Sequence, residues 1–376
     1  MNKENLQKIT ELRHELHRHP ELSMCEKETS GMIRRFLQKN TDLKIVDRGC
    51  WFYAVKEGKN RDRKMAFRAD MDALPVEEDT LVPYHSLNAG VSHKCGHDGH
   101  SAALCGLALE LNRLMPEKTV YLIFQPGEET GQGALYCRKL IAEEGISEIY
   151  AFHNLPGYQE KTVVYRPGLT QPSSEGLKIS FHGKTSHASA PEEGCNPAGI
   201  ISRVILYAEK MSGKRSGGMV LCTVTGIRMG SGDFGISPGE GDLFLTLRAE
   251  HEEELHGLEH DIRTFAAKEA EAAGIRIECS IHDYFPETRN DDSCLEKILR
   301  AALDTGIPTA QMHDLWRASE DFGWYLKECP GAMIYIGSGG NAPALHTAAY
   351  DFNDGILETA ADLFTALAVN SGTEKH

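Results

Sequence analysis

The segment Ser92-His93-Lys94-Cys95-Gly96-His97-Asp98-Gly99-His100 gathers three histidines, a cysteine and an aspartate around two glycines. Imidazole and thiolate hold borderline-soft cations such as Zn²⁺, Mn²⁺, Co²⁺ and Ni²⁺. Glycine lets neighbouring side chains converge on a tight turn. Taken alone the segment fits a polar surface loop equally well, because Cys-x-His is a weak signal. Further donors at the ends of other segments strengthen the metal reading.

Arg68-Ala69-Asp70-Met71-Asp72-Ala73-Leu74-Pro75 places two carboxylates just past an apolar run. They share a face if the stretch is extended, and an Asp turn or helix cap is the competing reading. Gln125-Pro126-Gly127-Glu128-Glu129-Thr130-Gly131 follows Val120-Tyr121-Leu122-Ile123-Phe124. Adjacent carboxylates point in different directions, so one can bind a cation while the other takes a proton from water. His153 follows Ile149-Tyr150-Ala151-Phe152, and His346 follows the glycine-rich stretch 337–340.

These groups need elements to position them. Helices are expected at 4–19, about 26–38, after the 92–100 cluster, at 293–305 and at 355–369, with Ser319 capping a further helix that opens at 318–322. His14, His17 and His19 in the first helix read as solvated or capping groups. Strands are expected at 51–55, 64–68, 120–124, 149–152 and 332–336. The run 120–124 is continuously apolar, as in buried parallel strands, and ligands of open α/β sheets bind beyond the carboxyl ends of their strands.

From about residue 175 the pattern changes. Leu177-Lys178-Ile179-Ser180-Phe181, Met219 to Ile227, Asp242 to Ala249 and Ile275 to Ile281 read as strands, and 196–211 and 251–273 as helices. Their order, β-α-β-β-α-β, is the ferredoxin-like split unit. The expected fold is therefore α/β, a mostly parallel sheet flanked by helices over 1–175 and 290–376, interrupted by an α+β domain over 176–289.

Composition bounds the function. A length of 376 residues predicts two domains. The net charge of −15 argues against nucleic acid or an anionic membrane surface. No apolar run approaches a membrane span, and residues 1–22 lack the apolar core of a signal peptide. The 10 cysteines are scattered without a CxxC pair, as reduced thiols in a cytoplasmic protein would be, most of them small core residues.

Cys95, His97, Glu128, Glu129, His153 and His346, with Asp70 nearby, supply enough donors for two divalent ions sharing a bridge. With a glutamate base beside them, amide hydrolysis is the natural reaction.

The chain resembles the aminoacylase-type two-metal metallopeptidases, in the amidohydrolase branch that includes N-acyl-amino-acid, hippurate and auxin-conjugate hydrolases. The resemblance spans nearly the whole sequence. It rests on the 68–75 and 95–100 motifs, Phe124-Gln125-Pro126-Gly127-Glu128-Glu129, Ser319-Glu320-Asp321-Phe322 and Leu345-His346-Thr347, in this order. It implies that Cys95, His97, Glu129, His153 and His346 ligate the two ions, of Mn, Zn, Co or Ni. It implies Glu128 as general base and Asp70 as a carboxylate orienting a ligand. It implies that the inserted domain is a lid and dimerisation module, with His187 stabilising the oxyanion.

The lid departs from the family pattern. Thr185-Ser186-His187 stands where Gly-Gly-His is usual, Glu192 rather than histidine follows Pro191, and the asparagine before a lid proline is replaced near Gly235-Ile236-Ser237-Pro238. The resemblance implies a small-molecule amide substrate such as an N-acyl amino acid. Two alternatives stand beside it: a dipeptidase or aminopeptidase, and a metal-binding protein without catalysis. A homodimer through an exposed lid strand is a further expectation.

Overall fold

The computed structural model describes residues 1–215 and 218–370. The chain forms two compact units. The first comprises Met1–Thr170, Thr288–Leu315 and the chain from Glu320 onward; the second comprises Gln171–Glu287 with Trp316–Ser319.

The first unit is built on an eight-stranded sheet. Four strands at its centre, in the order Lys118–Gln125, Asn60–Asp70, Ile149–Leu155 and Gly331–Gly337, run parallel. All but the Asn60–Asp70 strand are buried along their whole length, and that strand is buried from Met65 onward. Continuous apolar runs such as Val120 to Phe124 arise because helices cover both faces. Lys44–Asp47 and Phe52–Lys56 extend one side of the sheet antiparallel. The Lys44–Asp47 strand, too short and polar to stand out in the sequence, was not anticipated.

The helix His97–Leu111 is buried on every side, which explains its Ala-, Gly- and Leu-rich composition. It packs between the helices Lys3–Arg18 and Leu357–Asn370. All four central strands deliver their carboxyl ends to the edge where this helix begins. The expected mixed, mostly parallel sheet flanked by helices is what the unit contains.

The second unit carries an antiparallel sheet in the order Gly218–Met229, Glu240–Ala249, Ser173–His182, Arg276–Phe285, with the short Gly213–Arg215 strand paired outside Gly218–Met229. Leu177, Ile179 and Phe181 alternate with half-buried neighbours, as do Leu243, Leu245 and Leu247. The helices Ala198–Met211 and Glu252–Ala272 cover the apolar face and join its core. Tyr207 and Phe265 stack between them with ring centres 4.1 Å apart. This is the ferredoxin-like arrangement expected from the strand and helix order.

One expected helix start fails. Ser319 caps no helix: its hydroxyl bonds Ser174 Oγ at 2.7 Å, and the following helix spans only Gly323–Leu326. The intervening Glu320 and Asp321 are buried and held by an arginine, described below, in a non-helical loop.

Candidate metal centre

The site assembles at the carboxyl ends of the parallel strands. Gly96 begins the turn into the buried helix with φ of +94°, and a Cβ there would come within 2.6 Å of Asn154 Nδ2. Only glycine meets both conditions. The turn presents Cys95 and His97 on either side of one backbone residue.

His97 is fixed by a carboxylate. Asp72 Oδ1 lies 3.1 Å from His97 Nδ1, and Asp72 Oδ2 accepts the Glu129 amide at 3.0 Å and the Ser23 hydroxyl at 2.7 Å. A donor hydrogen at Nδ1 leaves Nε2 with its lone pair toward the cluster. Asp70 takes a different histidine: its Oδ1 is 2.7 Å from His100 Nδ1, and its Oδ2 accepts from Arg68 at 2.6 Å. The Asn60–Asp70 strand stops at Asp70, so Asp72 is free to turn toward His97.

His153 Nδ1 is 2.7 Å from the Asn154 carbonyl, and His153 Nε2 lies 3.3 Å from Cys95 Sγ. His346, in a left-handed conformation with φ of +63°, brings its Nε2 to 3.3 Å from Cys95 Sγ and 3.5 Å from Glu129 Oε1. Two three-donor groups result, Cys95/His97/His153 and Cys95/Glu129/His346, with Cys95 in both. Two donors bound at 2.0–2.3 Å to one tetrahedral ion sit roughly 3.5 Å apart, close to these spacings.

The electrostatics fit a cation. His97 Nε2 and Glu129 Oε1 are buried without a hydrogen-bond partner among the described residues, an expensive state for polar groups. Burial pulls the His97 pKa down, but Asp70, Asp72 and Glu129 overcome it and hold the group at about 10. Burial, then Glu129, Glu128 and Asp70, push the Cys95 thiol far above its usual range. Burial and His100 hold His153 neutral, well below the ordinary imidazole value. The pocket carries excess negative charge, which suits a divalent cation.

Glu128 stands beside this donor set, buried, with Oε2 3.9 Å from His97 Nε2. Burial, Glu320 and Glu129 raise its pKa well above the carboxylate range, the direction a general base working near neutrality needs. Behind it, Arg68 donates to Gln125 Oε1 at 2.9 Å, Glu320 Oε1 at 3.0 Å and Asp321 Oδ1 at 2.8 Å. Asp321 also accepts from Gln125 Nε2 and the Ala134 amide, each at 2.8 Å. This network anchors the segment carrying Glu128 and Glu129 to the sheet.

The structure thus brings Cys95, His97, Glu128, Glu129, His153 and His346 together, with Asp70 beneath them. His187 lies in the second unit, exposed, its Nδ1 2.6 Å from Ser189 Oγ. Sequence reasoning gave no role to Asp72, His100, Asn154 or Arg68. All four lie in or beside the quoted motifs, which was the available signal. It also read His17 as solvated or capping, whereas His17 is buried between Asp98 and Glu78.

A Cys/His/Glu donor set, buried at Cys95, His97 and His153 and opening to solvent at His346, with a glutamate beside it at the carboxyl edge of a parallel sheet, defines a metal-dependent hydrolase. The chain belongs to peptidase family M20/M25/M40, whose family model matches residues 66–370, and it is a hydrolytic enzyme acting on amide bonds. It is 29% identical over 368 residues, 96% of each chain, to an N-acetylcysteine deacetylase of Bacillus subtilis. It is 29% identical over 371 residues, 95% of each chain, to the hippurate hydrolase of Campylobacter jejuni. The crystal structure of a dinuclear metal-binding peptidase of the M20 family from Bacillus subtilis matches with a TM-score of 0.82 at 27% identity, covering 98% of this chain and 99% of that one. Among the described residues, no helix is long and apolar enough to cross a membrane.

Proposed function

We propose that this enzyme cleaves the amide bond of N-acyl amino acids, using two divalent ions held by Cys95, His97, Glu129, His153 and His346. The observation that carries the reading is the convergence of His97, Glu129, His153 and His346 around the Cys95 thiol, with buried Glu128 beside them. When bound, the ions supply Lewis acidity toward the amide carbonyl and acidify the attacking water. Glu128 takes the proton from that water as its oxygen bonds to the carbonyl carbon. It then passes the proton to the nitrogen as the C–N bond breaks, and the remaining water proton leaves the acyl product for the amine, releasing a carboxylate and an ammonium group. Asp72 keeps His97 in the required tautomer.

In the second unit, Arg248 is partly buried and has no carboxylate partner among the described residues; its Nη1 bonds Ser319 Oγ at 3.1 Å. Burial alone lowers its pKa. An unpaired, half-desolvated guanidinium is suited to the substrate carboxylate. His187, with Nδ1 engaged by Ser189 and Nε2 left for substrate, is assigned to the oxyanion. The ten free cysteines, one of them in the donor set, favour a reducing compartment such as the cytoplasm. The Arg276–Phe285 edge strand, with Ile281 exposed, is the surface assigned to a homodimer.

The test is amino-acid release from a panel of N-acetyl, N-benzoyl and indoleacetyl amino acids by reduced, Mn²⁺-loaded protein, with and without chelator. Chelator-sensitive release supports the reading. Release only from dipeptides, or none with metal bound, overturns it.

A further inference from the structure

We infer that Lys94 is a positioning residue: with Glu78 and His17 it closes a buried ring that brackets the Cys95-Gly96-His97 turn and fixes the donors on it. The inference rests on the metal-site reading above.

Lys94 is completely buried, an unusual place for an ammonium group. Its Nζ donates to Glu78 Oε1 at 2.8 Å and to the Tyr350 carbonyl at 2.7 Å. Glu78 Oε1 is also 2.9 Å from His17 Nε2, and His17 Nδ1 is 2.8 Å from Asp98 Oδ2. Lys94 immediately precedes Cys95, and Asp98 immediately follows His97. Both flanks of the donor turn are therefore tied through Glu78 and His17 to the first helix.

The same lysine reaches a third donor. The His346 amide donates to the Lys94 carbonyl at 2.7 Å, while the Lys94 ammonium holds Tyr350, four residues further on. The Tyr350 hydroxyl bonds Asn154 Oδ1, and Asn154 Nδ2 donates to the Cys95 carbonyl at 2.7 Å. Lys94 thus joins the His346 segment to the Cys95 turn by main chain and side chain at once. His346 has a left-handed backbone that no glycine relieves, so its segment needs such anchoring. A buried ion pair adds little net stability for its desolvation but fixes geometry where its partners are placed.

The experiment measures Co²⁺ affinity of folded, reduced protein by competition with a chromophoric chelator, together with thermal stability. Lys94→Met is compared with Lys118→Met, which breaks another buried pair, Lys118–Glu148 at 2.5 Å, away from the donors. Lys94→Met should weaken Co²⁺ binding about 10–100-fold, the range for lost supporting contacts at metal sites. Lys118→Met should lower the melting temperature with affinity kept within about twofold. Glu78→Gln, which keeps size and an acceptor, should give a smaller loss of affinity and decides the matter if Lys94→Met does not fold. Unchanged affinity in folded Lys94→Met or in Glu78→Gln, or an equal loss in Lys118→Met, overturns the inference. Wild-type protein that binds no Co²⁺ overturns the metal-site reading itself.

Discussion

Asp72 holds two donors at once: one of its oxygens lies 3.1 Å from His97 Nδ1 and the other accepts the Glu129 amide at 3.0 Å. One carboxylate thereby sets the tautomer of a histidine and the position of the glutamate segment. Asp72→Asn keeps the size but removes the charge and one acceptor. Metal affinity should fall about 10–100-fold, with far-ultraviolet circular dichroism unchanged. Titration of the metal-free protein measures this directly, and an affinity equal to wild type would refute the role.

Glu128→Gln separates chemistry from binding. The amide cannot take a proton from water, so kcat should fall about 10²–10⁴-fold. Metal content, read by atomic absorption, should stay at the wild-type value because the five donors are intact. A large drop in metal content would place Glu128 among the ligands instead.

Arg248→Met tests carboxylate recognition. KM for an N-acyl amino acid should rise while KM for the corresponding amino-acid amide, which lacks the charge, stays near its wild-type value. Losing a charge-assisted hydrogen bond of about 1.5–3 kcal/mol corresponds to roughly 10–150-fold. Equal effects on both substrates would assign the residue to folding of the second unit.

Glu175 makes the second unit sensitive to pH. It is buried, Oε1 has no partner among the described residues, and burial followed by Glu259 raises its pKa to about 7. The unfolded chain ionises it near 4.5, so the folded state binds the proton more tightly. Stability from this group is full below pH 4.5 and declines as pH rises toward 7. Glu175→Gln should therefore stabilise the protein at pH 8 by roughly 1–3 kcal/mol and leave it unchanged at pH 4.5. Urea melts at both values test the sign.

The parallel core was legible because Val120 to Phe124 is continuously apolar, and the second unit because Leu177, Ile179 and Phe181 alternate. The candidate donors stood out because Glu128 and Glu129 follow the Lys118–Gln125 strand, His153 lies near the end of Ile149–Leu155, and Cys95 and His97 open the buried helix. The division of labour between Asp70 and Asp72 was not. Two residues apart share a face only while a strand continues, and this strand ends at Asp70. The Ser319 expectation failed for a related reason: Arg68 lies 252 positions before Glu320 and 253 before Asp321, so only the folded sheet brings them together, and the captured pair leaves the local helix signal without effect. His17, Glu78 and Lys94 were hidden because residues 75–92 carry almost no regular structure, so their partners depend on tertiary closure alone.

Because Cys95 belongs to both donor groups, occupancy of one half of the centre is thermodynamically linked to occupancy of the other. The buried thiol holds its proton tightly when no cation is present. In the proposed ligand set, Cys95 would give up its thiol proton to hold an ion and would then serve both donor groups as thiolate. By reciprocity each ion changes the affinity for the other by the same factor. Under the proposed ligand set, loading would therefore depart from that of two independent sites.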